Sequence, residues 1–174
     1  GYKEQEMLTI FMTGKTNDES WLTDYKTDKS FYDIKQAVLS ILARVNINDV
    51  PFTLIHHNKR IQYGMQLNRG PVVLAEFGLV KKEVCAKLGI KSPVYYGELY
   101  LDSILKLIGN NQMHVQEVSK FPTMRRDLAL VVDKQVQFAE VEQIAKQVNK
   151  KLLKHIGLFD VYENKEQLGD DKRS

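Results

Sequence analysis

Four sets of residues in this 174-residue chain are of types that could do chemistry. Gly14-Lys15-Thr16, after a strand-like run, has the ending of a phosphate-binding loop. Such a loop also needs a glycine five positions before its second one, so that successive backbone N–H groups can wrap a phosphate. That position is Thr9, and the glycines elsewhere contain no GxG, so neither a P-loop nor a dinucleotide fingerprint is present. His56 and His57 are adjacent on an expected strand and point to opposite faces, and His114 and His155 lie far along the chain. No HxxxH or HExxH spacing exists, so no metal site is expected. Cys85, flanked by Val84 and Ala86, reads as a buried, inert thiol, and a single cysteine excludes a disulfide framework. No GxSxG elbow offers an acyl-transfer serine. Glu76, Glu98 and Asp102 are scattered over the expected strands, and sequence alone pairs none of them. No catalytic residue is expected in this chain.

The elements that would position these residues follow from periodicity. Met7 to Thr13 reads as a strand, followed by a long polar connection holding the lone Trp21. Ser30 and Asp33 have capping-box spacing, and Ile34, Val38, Ile41, Leu42 and Val45 continue at helical intervals. PFTLIHH, RIQYGMQL and VVLAEFGLV read as three strands, divided by turns at Asn58 and at Asn68-Arg69-Gly70-Pro71. KKEVCAKLG predicts a short helix closed by Gly89, VYYGELYLD a further strand, and DSILKLIG a short helix or turn. From Val115 the pattern becomes a strand (128–132), a helix with the stripe Phe138, Val141, Ala145, Val148 and Leu152, and a strand (158–162). This β-α-β unit opens a ferredoxin-like module, whose completion needs a third strand, a second helix and a fourth strand.

Composition bounds the rest. Charged residues are 27% and hydrophobic ones 43%, ordinary for a globular chain and against wholesale disorder. No run nears the roughly 20 apolar residues of a membrane span, and GYKEQEMLTI lacks the pattern of a secretory signal, so a cytoplasmic protein is expected. A net charge of +3 does not announce a nucleic-acid binder. Lys120 to Lys154 nonetheless holds eight basic and four acidic residues, a local excess that also suits an ordinary solvated face.

The run FPTMRRDLALVVD, followed by LFDVYE, resembles the ferredoxin-fold anticodon-binding domain of the bacterial phenylalanyl-tRNA synthetase β-subunit family. LTIFMTGK, Trp21, SFYDIKQAVLSILARVNI and VVLAEFGLVKKEVCAKLGIKSPVYYGELYLDSIL resemble the same family's catalytic-like module, in the same order. Ala75-Glu76-Phe77-Gly78 departs from the Gly-Glu-Leu-His expected there, within a packing motif.

The resemblance implies an α+β chain: a class II synthetase-like mixed sheet with helices over residues 1–114, then an anticodon-binding β-α-β module over 115–174, incomplete at its C-terminus. It implies a non-catalytic part of the ligase, inactive alone, packing on an α subunit in an (αβ)2 heterotetramer. ATP and Mg2+ would be held by α, and this chain would hold no cofactor. The nucleic-acid partner would be tRNA-Phe, with no DNA and no membrane. By motif, Ala129, Asp160, Tyr162 and Ser174 would meet the anticodon. Asp160 and Tyr162, two apart on a strand, share a face, where a ring can stack on an unstacked base and a carboxylate can accept from a base edge. Arg125, Arg126, Lys150, Lys151 and Lys154 could contact phosphates without reading sequence. Apart from the resemblance, Tyr162 reads as a half-buried sheet tyrosine, and the module as one that binds protein instead of RNA.

Overall fold

The computed structural model describes residues 1–174 except 3, 23–25, 56–57, 110–119 and 150. Expectations for His56, His57, His114 and Lys150 therefore lie outside the described residues. The chain divides into two compact units, residues 1–116 and 117–174.

The first unit is built on a five-stranded antiparallel sheet in the order β1-β5-β4-β3-β2. Its strands are β1 (Met7–Thr13), β2 (Phe52–Leu54), β3 (Ile61–Arg69), β4 (Val72–Val80) and β5 (Val94–Tyr100). Strands β2 to β5 form a meander, and β1 closes the far side by pairing from Met7↔Tyr100 to Thr13↔Val94. β3 and β4 join through Gly70-Pro71, where Gly70 takes the left-handed φ of 61° that the first position of such a hairpin turn requires. Gly64 and Gly78 face each other across β3 and β4, and a Cβ on either would strike the neighbouring backbone. That is the local reason a glycine ends the Ala75-Glu76-Phe77-Gly78 run.

Helix α1 (Phe31–Arg44) covers one face of the sheet. It starts where Ser30 donates from both its N–H and its hydroxyl to the Asp33 carboxylate, each at 2.7 Å. Those bonds hold the Asp33 carboxyl below its ordinary range, the hydroxyl bond contributing most. Its stripe Ile34, Val38 and Leu42 is fully buried against Leu67, Leu74, Ala75, Phe77 and Leu99. The helix comes close because β5 has Gly97 beneath it; a Cβ there would lie 3.0 Å from Val38 and 3.1 Å from Ile34. Two short helices, α2 (Lys82–Lys87) and α3 (Leu101–Ile108), flank β5, and Cys85 on α2 is buried.

The second unit holds β6 (Val132–Asp133), α4 (Phe138–Val148), α5 (Lys165–Leu168) and β7 (Lys172–Arg173), with β6 and β7 antiparallel. Here the structure corrects the sequence. Residues 128–131 and 158–161 form no strand, because no ladder partner lines up beside them among the described residues; Leu128, Leu130, Leu158 and Phe159 stay exposed. The helix ends at Val148, short of Leu152. Asn149 turns to φ −153°, and its side-chain oxygen accepts from the Leu152 N–H at 3.1 Å, a local bond that competes with the helical ladder. Phe138, Val141 and Ala145 are half-buried, whereas Val148 and Leu152 are exposed.

Candidate nucleic-acid interface

The second unit brings two of the expected site residues into direct contact. Tyr162 donates its N–H to the Ser174 carbonyl at 2.6 Å, and the Ser174 N–H returns a bond to the Tyr162 carbonyl at 2.9 Å. Residues 172–174 thus pair with β6 on one side and with Tyr162 on the other. A later segment inserted between two earlier ones is the split β-α-β order of a ferredoxin-like sheet.

Tyr162 is 45% exposed. Its hydroxyl donates to Gln167 Oε1 at 2.9 Å and accepts from Asn164 Nδ2 at 3.1 Å. Asn164 in turn caps α5, its Oδ1 accepting from the N–H groups of Glu166 and Gln167 at 2.9 and 3.3 Å. The hydroxyl is therefore fixed at the ring's edge by two side chains of the following turn. Asn164 and Gln167 escaped the sequence reading, although an Asn with a Gln three residues on is a helix-start signal.

Asp160 is exposed, and its carboxylate accepts from the Val161 N–H at 2.8 Å. Ala129 is exposed on the segment leading to β6, which makes no hydrogen bond to 158–162 among the described residues. Of the basic candidates, Arg125 lies 3.3 Å from Asp127 in an exposed ion pair, and Arg126, Lys151 and Lys154 are exposed. Arg173, which the sequence reading did not name, is fixed by donating to the Val136 carbonyl at 2.7 Å.

The first unit contains a second polar constellation. Glu76 and Glu98, unrelated by spacing, are directly opposed across β4 and β5 and are 8% and 6% exposed. Arg60 Nη2 lies 3.4 Å from each. Burial pushes the Glu76 carboxyl up, Glu98 pushes it further, and Arg60 only partly opposes them. Burial likewise moves the Tyr100 hydroxyl up to about 12. Asp102 stands apart, in the first turn of α3. The Gly14-Lys15-Thr16 turn is occupied in another way: Lys15 pairs with Asp28 at 2.9 Å and donates to the Lys26 carbonyl at 2.9 Å. Among the described residues, no group of histidine, cysteine and carboxylate side chains could hold a metal ion.

An α+β chain of this kind, with a split second unit, has counterparts. Residues 119–174 match the family model described as "Ferredoxin-fold anticodon binding domain". Residues 1–101 match "Phenylalanyl tRNA synthetase beta chain CLM domain", and the chain belongs to that phenylalanyl-tRNA synthetase beta-chain family. Among curated relatives it is 38% identical over 168 residues to the phenylalanine–tRNA ligase beta subunit of Bacteroides fragilis, covering 94% of this chain and 20% of that protein. The beta subunits of Bacteroides thetaiotaomicron and Porphyromonas gingivalis are 38% and 34% identical, each match covering 94% of this chain and 20% of the relative. The chain thus spans about a fifth of the length of these relatives. A solved pyrrolysyl-tRNA synthetase from Desulfitobacterium hafniense aligns over 64% of this chain and 44% of its own, at 10% identity and a TM-score of 0.38, too slight to carry an argument.

Proposed function

We propose that this chain serves as a non-catalytic part of phenylalanine–tRNA ligase, with residues 1–114 packing on the α subunit and residues 115–174 recognising the anticodon region of tRNA-Phe. The observation that carries this reading is the order of the two family matches, residues 1–101 and then 119–174, along one chain. On it the first unit is a class II-like core kept as scaffold, in an (αβ)2 heterotetramer in the cytoplasm, while α binds ATP and Mg2+. The exposed Met7, Leu8 and Phe11 of edge strand β1 support a surface that a partner covers. In the second unit, Tyr162 and Asp160 discriminate the loop bases, Ser174 and Ala129 line the same surface, and Arg125, Arg126, Lys150, Lys151 and Lys154 hold phosphates.

Two measurements on the purified chain test this division. Alone it supports no phenylalanine-dependent ATP–pyrophosphate exchange; with α subunit and tRNA-Phe it co-elutes on size exclusion. Exchange activity without α, or no complex with either partner, would refute the reading.

A further inference from the structure

The sheet of the first unit buries more negative charge than positive. Glu76 and Glu98 are opposed across β4 and β5, and Arg60 is the one cation in ion-pair range of them among the described residues. Both contacts run at 3.4 Å, beyond the 2.7–2.9 Å of strong charge-assisted bonds, and a single Nη serves both carboxylates. The Arg60 side chain is also 57% exposed, its guanidinium resting 5.3 Å from the centroid of the Tyr96 ring. Burying an unbalanced charge is costly unless a partner neutralises it. Two carboxylates under one loosely held guanidinium leave the cluster one cation short. The upward displacement of the Glu76 carboxyl is in keeping with that shortage.

A second observation points the same way. Tyr96 is 5% exposed, and among the described residues its buried hydroxyl has no hydrogen-bond partner within 3.5 Å, although it lies toward Glu98. Tyr96 and Glu98 are two apart on β5 and so share a face. Burial raises the Tyr96 hydroxyl pKa most, and the Glu98 carboxylate toward which the hydroxyl is directed raises it further, so the hydroxyl belongs to the same cluster. Phe11, exposed on β1 with its ring 5.4 Å from that of Tyr96, adds an apolar wall.

We propose that Glu76, Glu98 and Tyr96 form a binding site for a primary ammonium group, which takes the inner position while Arg60 swings outward. An ammonium carries three rotatable N–H donors, and the cluster supplies three acceptors: two carboxylates and the Tyr96 oxygen. A planar guanidinium cannot converge its donors on three such points. The alkyl stem lies along Tyr96 and Phe11.

The test follows the side-chain carboxyl resonances of Glu76 and Glu98 by NMR in the full chain. n-Butylammonium chloride is titrated at constant ionic strength, against tetramethylammonium chloride, which has the charge but no N–H donors. A saturable shift with n-butylammonium alone is expected. Tyr96→Phe, which keeps the ring, weakens it by roughly threefold to tenfold, the worth of one hydrogen bond. Arg60→Gln, which removes the competing cation, tightens it. A tetralysine peptide that competes with n-butylammonium places the amine on a polypeptide, and one that does not compete places it on a free small molecule. Equal responses to the two ammonium ions, no saturable response, or weaker binding by Arg60→Gln would each overturn the proposal.

Discussion

The two units are held together by different means. In the first, seven large apolar side chains from one helix and three strands are fully buried, and Phe77 packs tilted against Phe31 of α1 and edge-on to Phe52 of β2, at ring separations of 5.5 and 6.4 Å. In the second, no described residue is buried, and the fold rests on short backbone ladders and on local caps such as Asn164. A scaffold gains from a dense core because substitutions there are resisted by packing. On the proposed function, the exposed rings and charges of the second unit suit a surface that meets RNA, at the expense of stability.

The largest expected effect breaks this contrast if it is wrong. Phe77→Ala should destabilise the first unit by about 3–5 kcal/mol, whereas Val148→Ala, at a side chain 80% exposed, should change stability by no more than about 0.5 kcal/mol. Denaturant unfolding of both variants checks it, and comparable losses would contradict the contrast. Gly97→Val comes next. Its side chain would press on Val38 and Ile34, and overpacking of this kind costs about 1–3 kcal/mol. Near-UV circular dichroism and unfolding together separate a shifted α1 from an unfolded one.

The smallest effect sharpens the comparison by pH. Ser30→Ala removes the hydroxyl bond to Asp33 and should cost about 1 kcal/mol at neutral pH. Because the folded Asp33 pKa is depressed, its contribution is complete above the unfolded value of 3.8 and vanishes as pH falls through the lower folded value. The gap between wild type and variant should therefore narrow in acid. A gap that widens below pH 4 would contradict the role given to Asp33.

Most of the first unit was legible in the sequence because its signals are local. Ser30 with Asp33 marks where α1 begins, the Ile34-Val38-Leu42 spacing marks its buried face, and Gly70-Pro71 marks a hairpin. The Glu76–Glu98 pair was not legible. It depends on the register between β4 and β5, which α2 and its flanking turns set, and no spacing in the chain encodes it. A glutamate amid the apolar run of β4 was the available hint. In the second unit the runs 128–132 and 158–162 have strand-like residues, but a strand also needs a ladder, which local pattern cannot supply. Tyr162 and Asp160 were named through resemblance, while the Asn164–Gln167 anchor of the Tyr162 hydroxyl depends on how the chain turns after Glu163.

The central claim, that the second unit reads the tRNA through Tyr162, is tested most directly by Tyr162→Ala in the complete ligase. Loss of a stacked base is worth about 1–3 kcal/mol, so the KM for tRNA-Phe should rise roughly ten- to a hundredfold, and the preference over anticodon variants should fall. Lys154→Ala in the same assay should weaken all tRNAs alike and lower the salt slope by about one unit. A Tyr162→Ala enzyme that charges tRNA-Phe with unchanged kinetics and undiminished anticodon preference would contradict the account.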